Sequence, residues 1–136
     1  MPEVIVLDTH VWYWWISQDL GRLPAGVVSA IEEADRVGVA AVSCFELALA
    51  HRRGRLELPI PISEWMPLAL AGSGIEVLAL TPEVALRAVH LGEVHRDPFD
   101  RIIIATALTL EATLASVDGN FPAYPELAGR LLGATA

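Results

Sequence analysis

Short apolar runs alternate with helical segments along the whole chain, and this alternation constrains the fold more than any other feature. Four runs rich in β-branched or small apolar residues predict strands, at 3–8, 36–43, 75–80 and 113–118. The segments between them predict helices at 9–16, 24–35, 43–54, 63–70, 81–91 and 98–111. Strands that alternate with helices are typical of a parallel sheet covered on both faces. We therefore expect an α/β fold with a central parallel β-sheet.

Several helix starts carry recognisable signals. Ser43 and Glu46 form an S-x-x-E pattern, which predicts a capping box at the start of a helix. Asp97 precedes Pro98, which predicts an N-cap followed by the first helical residue. This register puts Asp100 in the first helical turn, where a carboxylate complements the helix dipole.

Length and composition indicate one ordered domain. The 136 residues suit a single hydrophobic core, so we expect one domain over residues 1–136. Hydrophobic residues make up 54% of the chain and the mean hydropathy is +0.47, so a self-associating or partner-covered face is expected. No apolar stretch reaches the roughly 18 residues of a membrane span, and Glu3 and Asp8 do not fit a signal peptide. With Cys44 as the single cysteine, these features predict a cytoplasmic protein without a membrane contact.

Four acidic residues fall at one edge of the predicted sheet. Asp8 and Asp118 end predicted strands, and Glu46 and Asp100 lie near the starts of predicted helices. Each has a structural alternative, as a helix cap or a turn residue, and taken singly the structural role is favoured. Their conjunction favours a site, because ligands of parallel α/β sheets bind where strands end and helices begin.

The composition of this acidic cluster predicts its chemistry. Carboxylates from four segments repel one another, so gathering them requires protons or cations. Oxygen ligands without a neighbouring cysteine favour Mg²⁺ or Mn²⁺ over zinc. Such ions can activate water and stabilise in-line displacement at phosphorus. The pattern therefore predicts hydrolysis of a phosphodiester.

At these residues the chain resembles the PIN-domain family, particularly VapC-type toxins. The resemblance is carried by "VLDTHVW", "SCFELALAHRRGRLEL", "HRDPFDRIIIATAL" and "LASVDGNFPAY", in that order, and it spans almost the whole chain. It implies a three-layer α/β/α domain and a metal-dependent endoribonuclease acting as the toxin of a type II toxin–antitoxin system. The expected partners are RNA, a cognate VapB-type antitoxin that blocks the site, and a second copy of the chain in a homodimer.

The resemblance also implies roles for individual residues. It maps the catalytic and metal-binding acids onto Asp8, Glu46, Asp100 and Asp118. Four further residues are candidates for additional contacts around the metal, namely Thr9, Asp97, Ser116 and Asn120. The family often has threonine and a further acid at the last two of these positions, so the loss of charge at Asn120 favours one tightly bound ion over two.

RNA binding needs positive charge, whereas the net charge of this chain is −8. Arg52, Arg53 and Arg101 are the main candidates for phosphate contacts, and His51, Arg55 and Arg96 lie beside them in the sequence. Arginines at the end of a helix can equally complement its dipole, and Arg101 can pair with a neighbouring carboxylate. The four histidines, His10, His51, His90 and His95, are interpreted as surface or packing residues.

Other classes fit less well. A phosphoacceptor receiver module and a Walker-type nucleotide site both need a lysine, and the chain has none. A nucleophile elbow of the G-x-S-x-G type is also missing. The remaining alternative is a catalytically inactive PIN-like protein that acts only through its antitoxin. The tryptophans Trp12, Trp14 and Trp15 are interpreted as core residues, with an interface as the alternative.

Overall fold

A computed structural model describes residues 3–94 and 96–133 of the chain. Its centre is a five-stranded sheet in the order β3-β2-β1-β4-β5, and every neighbouring pair of strands is parallel. The strands are β1 (Val4–Leu7), β2 (Arg36–Ala40), β3 (Ile75–Leu78), β4 (Thr113–Ser116) and β5 (Leu131–Gly133). The expected parallel α/β architecture is confirmed.

In the residues that the structure describes, six α-helices cover the two faces of the sheet. They are α1 (Thr9–Ile16), α2 (Ala25–Glu33), α3 (Ala41–Arg52), α4 (Ile62–Ala69), α5 (Pro82–His90) and α6 (Pro98–Thr109). Ile5 and Leu7 of β1 pack on one face with residues of α1, α2 and α4, whereas Val6 packs on the other face with α6. This alternation follows from the period of two along a strand, and it produces the three-layer α/β/α arrangement.

The predicted capping box at Ser43 and Glu46 is wrong. The structure begins α3 at Ala41, with Ala40 as the N-cap residue and no side-chain cap. Strand β2 passes directly into α3, so Ser43 lies inside the first turn and Glu46 is the sixth helical residue. Neither side chain therefore caps α3, and Ser43 is fully buried against α1.

Other helix boundaries differ by one or two residues. Pro24 is the N-cap of α2 and not its first helical residue. Helix α6 ends at Thr109, two residues before the predicted end, and Glu111 adopts a positive φ of 53°. The predicted N-cap at Asp97 is confirmed, because its side chain accepts hydrogen bonds from the backbone N–H groups of Phe99 and Asp100.

Strand β5 was missed by the sequence analysis. It has three residues and pairs with β4 in parallel. Gly133 at its end has a φ of 102°, and a Cβ there would lie 2.7 Å from the carbonyl oxygen of Ser116. Only glycine allows this close approach. A run this short carries no periodicity that could have predicted it.

Trp12 is a core residue, as expected. Its side chain is fully buried, its ring packs against Trp65, and its indole N–H donates to the carbonyl of Ala69 at 2.9 Å. Trp14 and Trp15 are only half-buried. Within the described residues, no helix is both long and apolar enough to cross a membrane.

Candidate active site

All four predicted acids line one cavity at the carboxyl end of the sheet. The cavity has a volume of about 380 Å³, and we call it the carboxylate cavity. Its lining residues are Asp8, Thr9, His10, Trp14, Glu46, Asp97, Asp100, Val117 and Asp118. The structure therefore brings together acids that are separated by up to 110 positions along the chain.

Asp8 combines a structural role with a place in the cavity. It follows β1, caps α1, and accepts a hydrogen bond from the backbone N–H of Val11 at 2.9 Å. Its burial raises the pKa of this carboxyl to about 6, although hydrogen bonds from Ser116 and Val11 act in the opposite direction. Asp8 therefore caps α1 and lines the cavity at the same time.

Glu46 is contacted by the hydroxyl of Thr9, and the hydroxyl of Ser43 lies behind that of Thr9. The Thr9 hydroxyl donates to Glu46 Oε1 at 2.5 Å, and Thr9 Oγ1 lies within hydrogen-bond distance of Ser43 Oγ at 3.0 Å. Thr9 and Ser43 are both buried. Ser43 was not predicted as a site residue, although its position three residues before Glu46 puts both on one face of a helix.

Asp100 has the most perturbed carboxyl group in the cavity. Its pKa is raised to about 8. Partial burial is the largest cause, and repulsion from Asp97, Asp118, Glu46 and Asp8 adds to it. Asp97 starts the same helix and accepts from the N–H groups of Phe99 at 2.9 Å and Asp100 at 3.4 Å. The cap thus holds the turn that carries Asp100.

Asp118 sits in a turn stabilised by its neighbours. Its backbone N–H donates to Ser116 Oγ at 3.0 Å, and its Oδ1 accepts from the backbone N–H of Asn120 at 2.8 Å. Ser116 is fully buried and also bonds to Asp8, so one hydroxyl links two of the acids. Asn120 is exposed and supplies a backbone donor to this turn.

The predicted RNA-binding arginines lie in different surroundings. Arg101 donates to the carbonyls of four residues at and just after the end of α5, which are Ala88, Val89, Leu91 and Gly92. Arg53 and Arg55 line a second cavity beside the carboxylate cavity, whereas Arg52 is exposed and lines neither. Arg96 lies with Arg101 on a third surface. The bonds of Arg101 favour a structural role.

The histidines also differ in position. His51 Nδ1 is 3.2 Å from the carbonyl oxygen of Leu56, and His90 Nδ1 is 2.8 Å from that of Leu86. His10 lines the carboxylate cavity and its ring packs near Trp14, at a centroid distance of 5.7 Å. Sequence reasoning missed this placement, although the position of His10 two residues after Asp8 indicates it. His95 lies outside the described residues.

The donor set of the carboxylate cavity fits a hard divalent cation. The acids that line it supply only oxygen atoms. Burial, together with repulsion from the other acids, raises the pKa of Asp100, and a bound cation would relieve that repulsion. Within residues 3–94 and 96–133, no three His, Cys, Asp or Glu side chains are placed so that they could hold a metal ion as they stand. The fit to a cation therefore lies in the chemistry of the lining carboxylates and not in a preformed geometry.

The fold and the cavity together define a class of protein: an α/β/α domain with clustered carboxylates at the end of a parallel sheet. A family model described as PIN domain matches residues 5–127, and the chain belongs to the PIN-domain family. It is also 42% identical over 105 residues to Ribonuclease VapC22 of Mycobacterium tuberculosis (strain ATCC 25618 / H37Rv), covering 76% of this chain and 78% of that protein.

Solved structures share the fold at low sequence identity. The Rickettsia felis structure of VapBC2 bound to a promoter DNA fragment aligns with a TM-score of 0.69 and 15% identity, over 95% of this chain and 97% of that chain. A toxin-antitoxin complex from Klebsiella pneumoniae aligns with a TM-score of 0.61 and 18% identity, over 94% and 95%. FitAcB from Neisseria gonorrhoeae aligns with a TM-score of 0.56 and 23% identity, over 85% and 88%.

Proposed function

We propose that this protein is a Mg²⁺- or Mn²⁺-dependent endoribonuclease that acts as the toxin of a type II toxin–antitoxin pair. The observation that carries the proposal is the convergence of Asp8, Glu46, Asp100 and Asp118 on one cavity. Burial and repulsion raise the pKa values of two of these carboxyls, which is expected of groups arranged for cation chemistry.

The comparisons support the substrate class. A relative that is 42% identical over most of both chains is named a ribonuclease. Structures with the same fold include toxin–antitoxin complexes, at sequence identities to this chain below 25%. Together with membership of the PIN-domain family, these observations favour RNA as the substrate and an antitoxin as the partner.

The mechanism follows from what the side chains can do. Asp8, Glu46, Asp100 and Asp118 would hold the cation, which when bound supplies charge neutralisation and activates water for attack on phosphorus. Thr9 fixes the carboxylate of Glu46, and Ser116 links Asp8 to the turn of Asp118. The N-termini of α1 and α6 carry Asp8 and Asp97 into the same cavity, and their backbone dipoles favour a bound phosphate.

We also propose inhibition by a cognate VapB-type antitoxin and self-association as a homodimer. A segment that carries positive charge would be attracted to the carboxylate cavity and would exclude RNA from it. For self-association, exposed apolar side chains are available: Leu86 and Val89 of α5 are 63% and 73% exposed.

The test is a cleavage assay on purified, antitoxin-free protein with a mixed-sequence RNA, in EDTA and in added Mg²⁺ or Mn²⁺. Wild type is expected to cleave only with the cation. Asp8→Asn and Asp118→Asn are expected to lose at least about 100-fold in rate, because each removes a charge from the cation site. Glu64→Gln is the matched control, since Glu64 is an exposed carboxylate on α4 outside the cavity.

The outcomes separate the two readings of the cavity. Cation-dependent cleavage that is lost in both aspartate variants and retained in Glu64→Gln supports the enzyme. Calorimetric titration with Mn²⁺ adds a readout that is independent of activity. A folded wild-type protein that neither binds Mn²⁺ nor cleaves RNA would favour the alternative, an inactive PIN-like protein that acts only through its antitoxin.

A further inference from the structure

A second cavity adjoins the carboxylate cavity. Its volume is about 270 Å³, and it shares four lining residues with the first: Thr9, His10, Glu46 and Asp97. The rest of its lining comes from the end of α3, the segment after it, and the start of α6, namely Leu49, Ala50, Arg53, Arg55, Leu56 and Phe99. We call it the arginine cavity. A ligand that spans both cavities would pass over Thr9 and Glu46.

We propose that the arginine cavity binds one nucleotide of single-stranded RNA next to the cleaved phosphodiester. Arg53 and Arg55 would contact the phosphate of this nucleotide, and the ring of Phe99 would face its base. The inference rests on the proposed ribonuclease function and deepens it, because it names the path of the substrate and the residues along it.

Charge supports this path. The chain has a net charge of −8, and the carboxylates beside the cleaved bond repel a polyanion. The positions of nearby arginine side chains therefore decide where RNA can approach. Three other arginines are in ion pairs with acids, namely Arg22, Arg36 and Arg87. Arg53 and Arg55 are exposed, and in the part of the chain that the structure describes neither is paired with a carboxylate.

The aromatic residues support a base rather than a phosphate alone. Phe99 is half-buried, and its ring lies 5.7 Å from that of Phe45, whose side chain is 60% exposed. Proteins that bind single strands combine a cationic groove with aromatic rings against which bases stack. The apolar side chains of Leu49 and Leu56 complete a surface that suits a base.

The size of the arginine cavity suits one nucleotide. Pockets for small organic ligands begin at about 300 Å³, and the arginine cavity is close to that lower bound. A base with its ribose is therefore a better fit than a stretch of strand. The adjoining carboxylate cavity would receive the neighbouring phosphodiester.

The experiment measures RNA binding in the Asp118→Asn background, in which cleavage is expected to be lost. The probe is a fluorescein-labelled RNA decamer of random sequence in Mg²⁺, followed by anisotropy, beside an abasic decamer with the same phosphates. Arg53→Ala and Arg55→Ala are each expected to weaken binding of both decamers about tenfold and to reduce the salt slope by about 0.7. Phe99→Leu is expected to weaken binding only of the base-containing decamer, by about fivefold.

Two further variants serve as references, and every variant is first checked for folding by its thermal unfolding. Arg87→Ala removes an exposed, paired arginine on α5 and is expected to bind RNA like the background protein. Arg52→Ala removes the same charge one position before Arg53 but outside the cavity, so a smaller loss than that of Arg53→Ala is expected.

Failure of this inference is distinguishable from failure of the proposed function. If Arg52→Ala and Arg87→Ala weaken binding as much as Arg53→Ala, general charge explains the affinity and the nucleotide site is overturned. If Phe99→Leu binds the base-containing decamer as tightly as the Asp118→Asn background protein does, the contact between Phe99 and a base is overturned. If the wild-type protein cleaves RNA but the Arg53, Arg55 and Phe99 variants bind RNA like the background protein, the ribonuclease function is supported and the nucleotide site is overturned. If the wild-type protein does not cleave RNA but the affinities follow the expected order, RNA binding in the arginine cavity is supported and the ribonuclease function is overturned.

Discussion

The Thr9 hydroxyl donates a hydrogen bond to the Glu46 carboxylate across 37 positions of sequence. This bond joins the first turn of α1, which follows β1, to the middle of α3, which follows the neighbouring strand β2. Ser43 Oγ, 3.0 Å from Thr9 Oγ1, completes a buried chain of hydroxyls behind the carboxylate. Glu46 is thus held from two elements at once.

The first prediction concerns this bond. Thr9→Val keeps the shape of the side chain and removes its hydroxyl, so Glu46 loses its donor. We expect the affinity for Mn²⁺, measured by calorimetry, to fall about 10- to 100-fold, which is typical when a group that orients a metal ligand is lost. Thr9→Ser retains the hydroxyl and is expected to bind Mn²⁺ nearly as wild type does.

Thr109→Val is the matched control for Thr9→Val. The hydroxyl of Thr109 is buried and, within the described residues, has no hydrogen-bond partner, so its removal is expected to leave Mn²⁺ binding unchanged. If Thr9→Val binds Mn²⁺ with wild-type affinity, the orientation of Glu46 by Thr9 has no part in cation binding.

The second prediction concerns the pH dependence of stability in EDTA. The pKa of Asp100 is raised from 3.8 to about 8, so between these values the folded state binds its proton more tightly than the unfolded chain. Stability therefore falls as the pH rises through this window. Asp100→Asn, which cannot ionise, is expected to raise the melting temperature by a few degrees at pH 8 and to leave it unchanged near pH 4.

Asp19→Asn is the control for Asp100→Asn, since Asp19 is exposed and lies outside the carboxylate cavity. It is expected to shift the melting temperature little at either pH. A stability of Asp100→Asn that declines between pH 4 and pH 8 as steeply as that of wild type would show that other groups cause the dependence.

The third prediction concerns Arg101. Its guanidinium donates to four carbonyl groups between Ala88 and Gly92, which ties the end of α5 to the first turn of α6 beside Asp100. Arg101→Lys keeps the charge but lacks the planar set of donors. We expect the free energy of unfolding, from urea titration, to fall by about 2 kcal/mol, because partly buried carbonyls lose their partners.

Arg87→Ala tests whether any arginine near α5 has this effect. Its ion pair with Glu83 is a surface contact at 3.8 Å, and its loss is expected to cost about 0.3 kcal/mol. If Arg101→Lys unfolds with the same free energy as wild type, the hydrogen bonds of Arg101 to the four carbonyls do not stabilise the fold. The predicted contact of Arg101 with RNA phosphate would then be favoured over a structural role.

Local signals predicted much of the fold. The β-branched run before Asp8 and the Asp97-Pro98 pair define a strand end and a helix start from a few neighbouring residues, and the structure agrees with both. Strand β5 has no comparable pattern, because a three-residue strand acquires its identity by pairing with β4. Such pairing is a long-range event that neighbouring residues do not encode.

The S-x-x-E pattern at Ser43 shows the limit of local reasoning. It has the spacing of a capping box, yet α3 begins two residues earlier because β2 leads straight into it. The same spacing of three places Ser43 and Glu46 on one helical face, and that face is turned toward Thr9. The same spacing of three residues is therefore compatible with a capping box and with two site residues on one helical face, and the local sequence does not distinguish them.

The sequence by itself determined the class of fold and the edge of the sheet at which four acids meet, because periodicity and strand ends are local properties. Tertiary structure alone decided how these acids are held: Thr9 on Glu46, Ser116 between Asp8 and Asp118, and the elevated pKa of Asp100. It also separated Arg53 and Arg55 from Arg101. The reason is physical, since burial, repulsion and hydrogen bonding between distant segments depend on distances that exist only after the sheet has assembled.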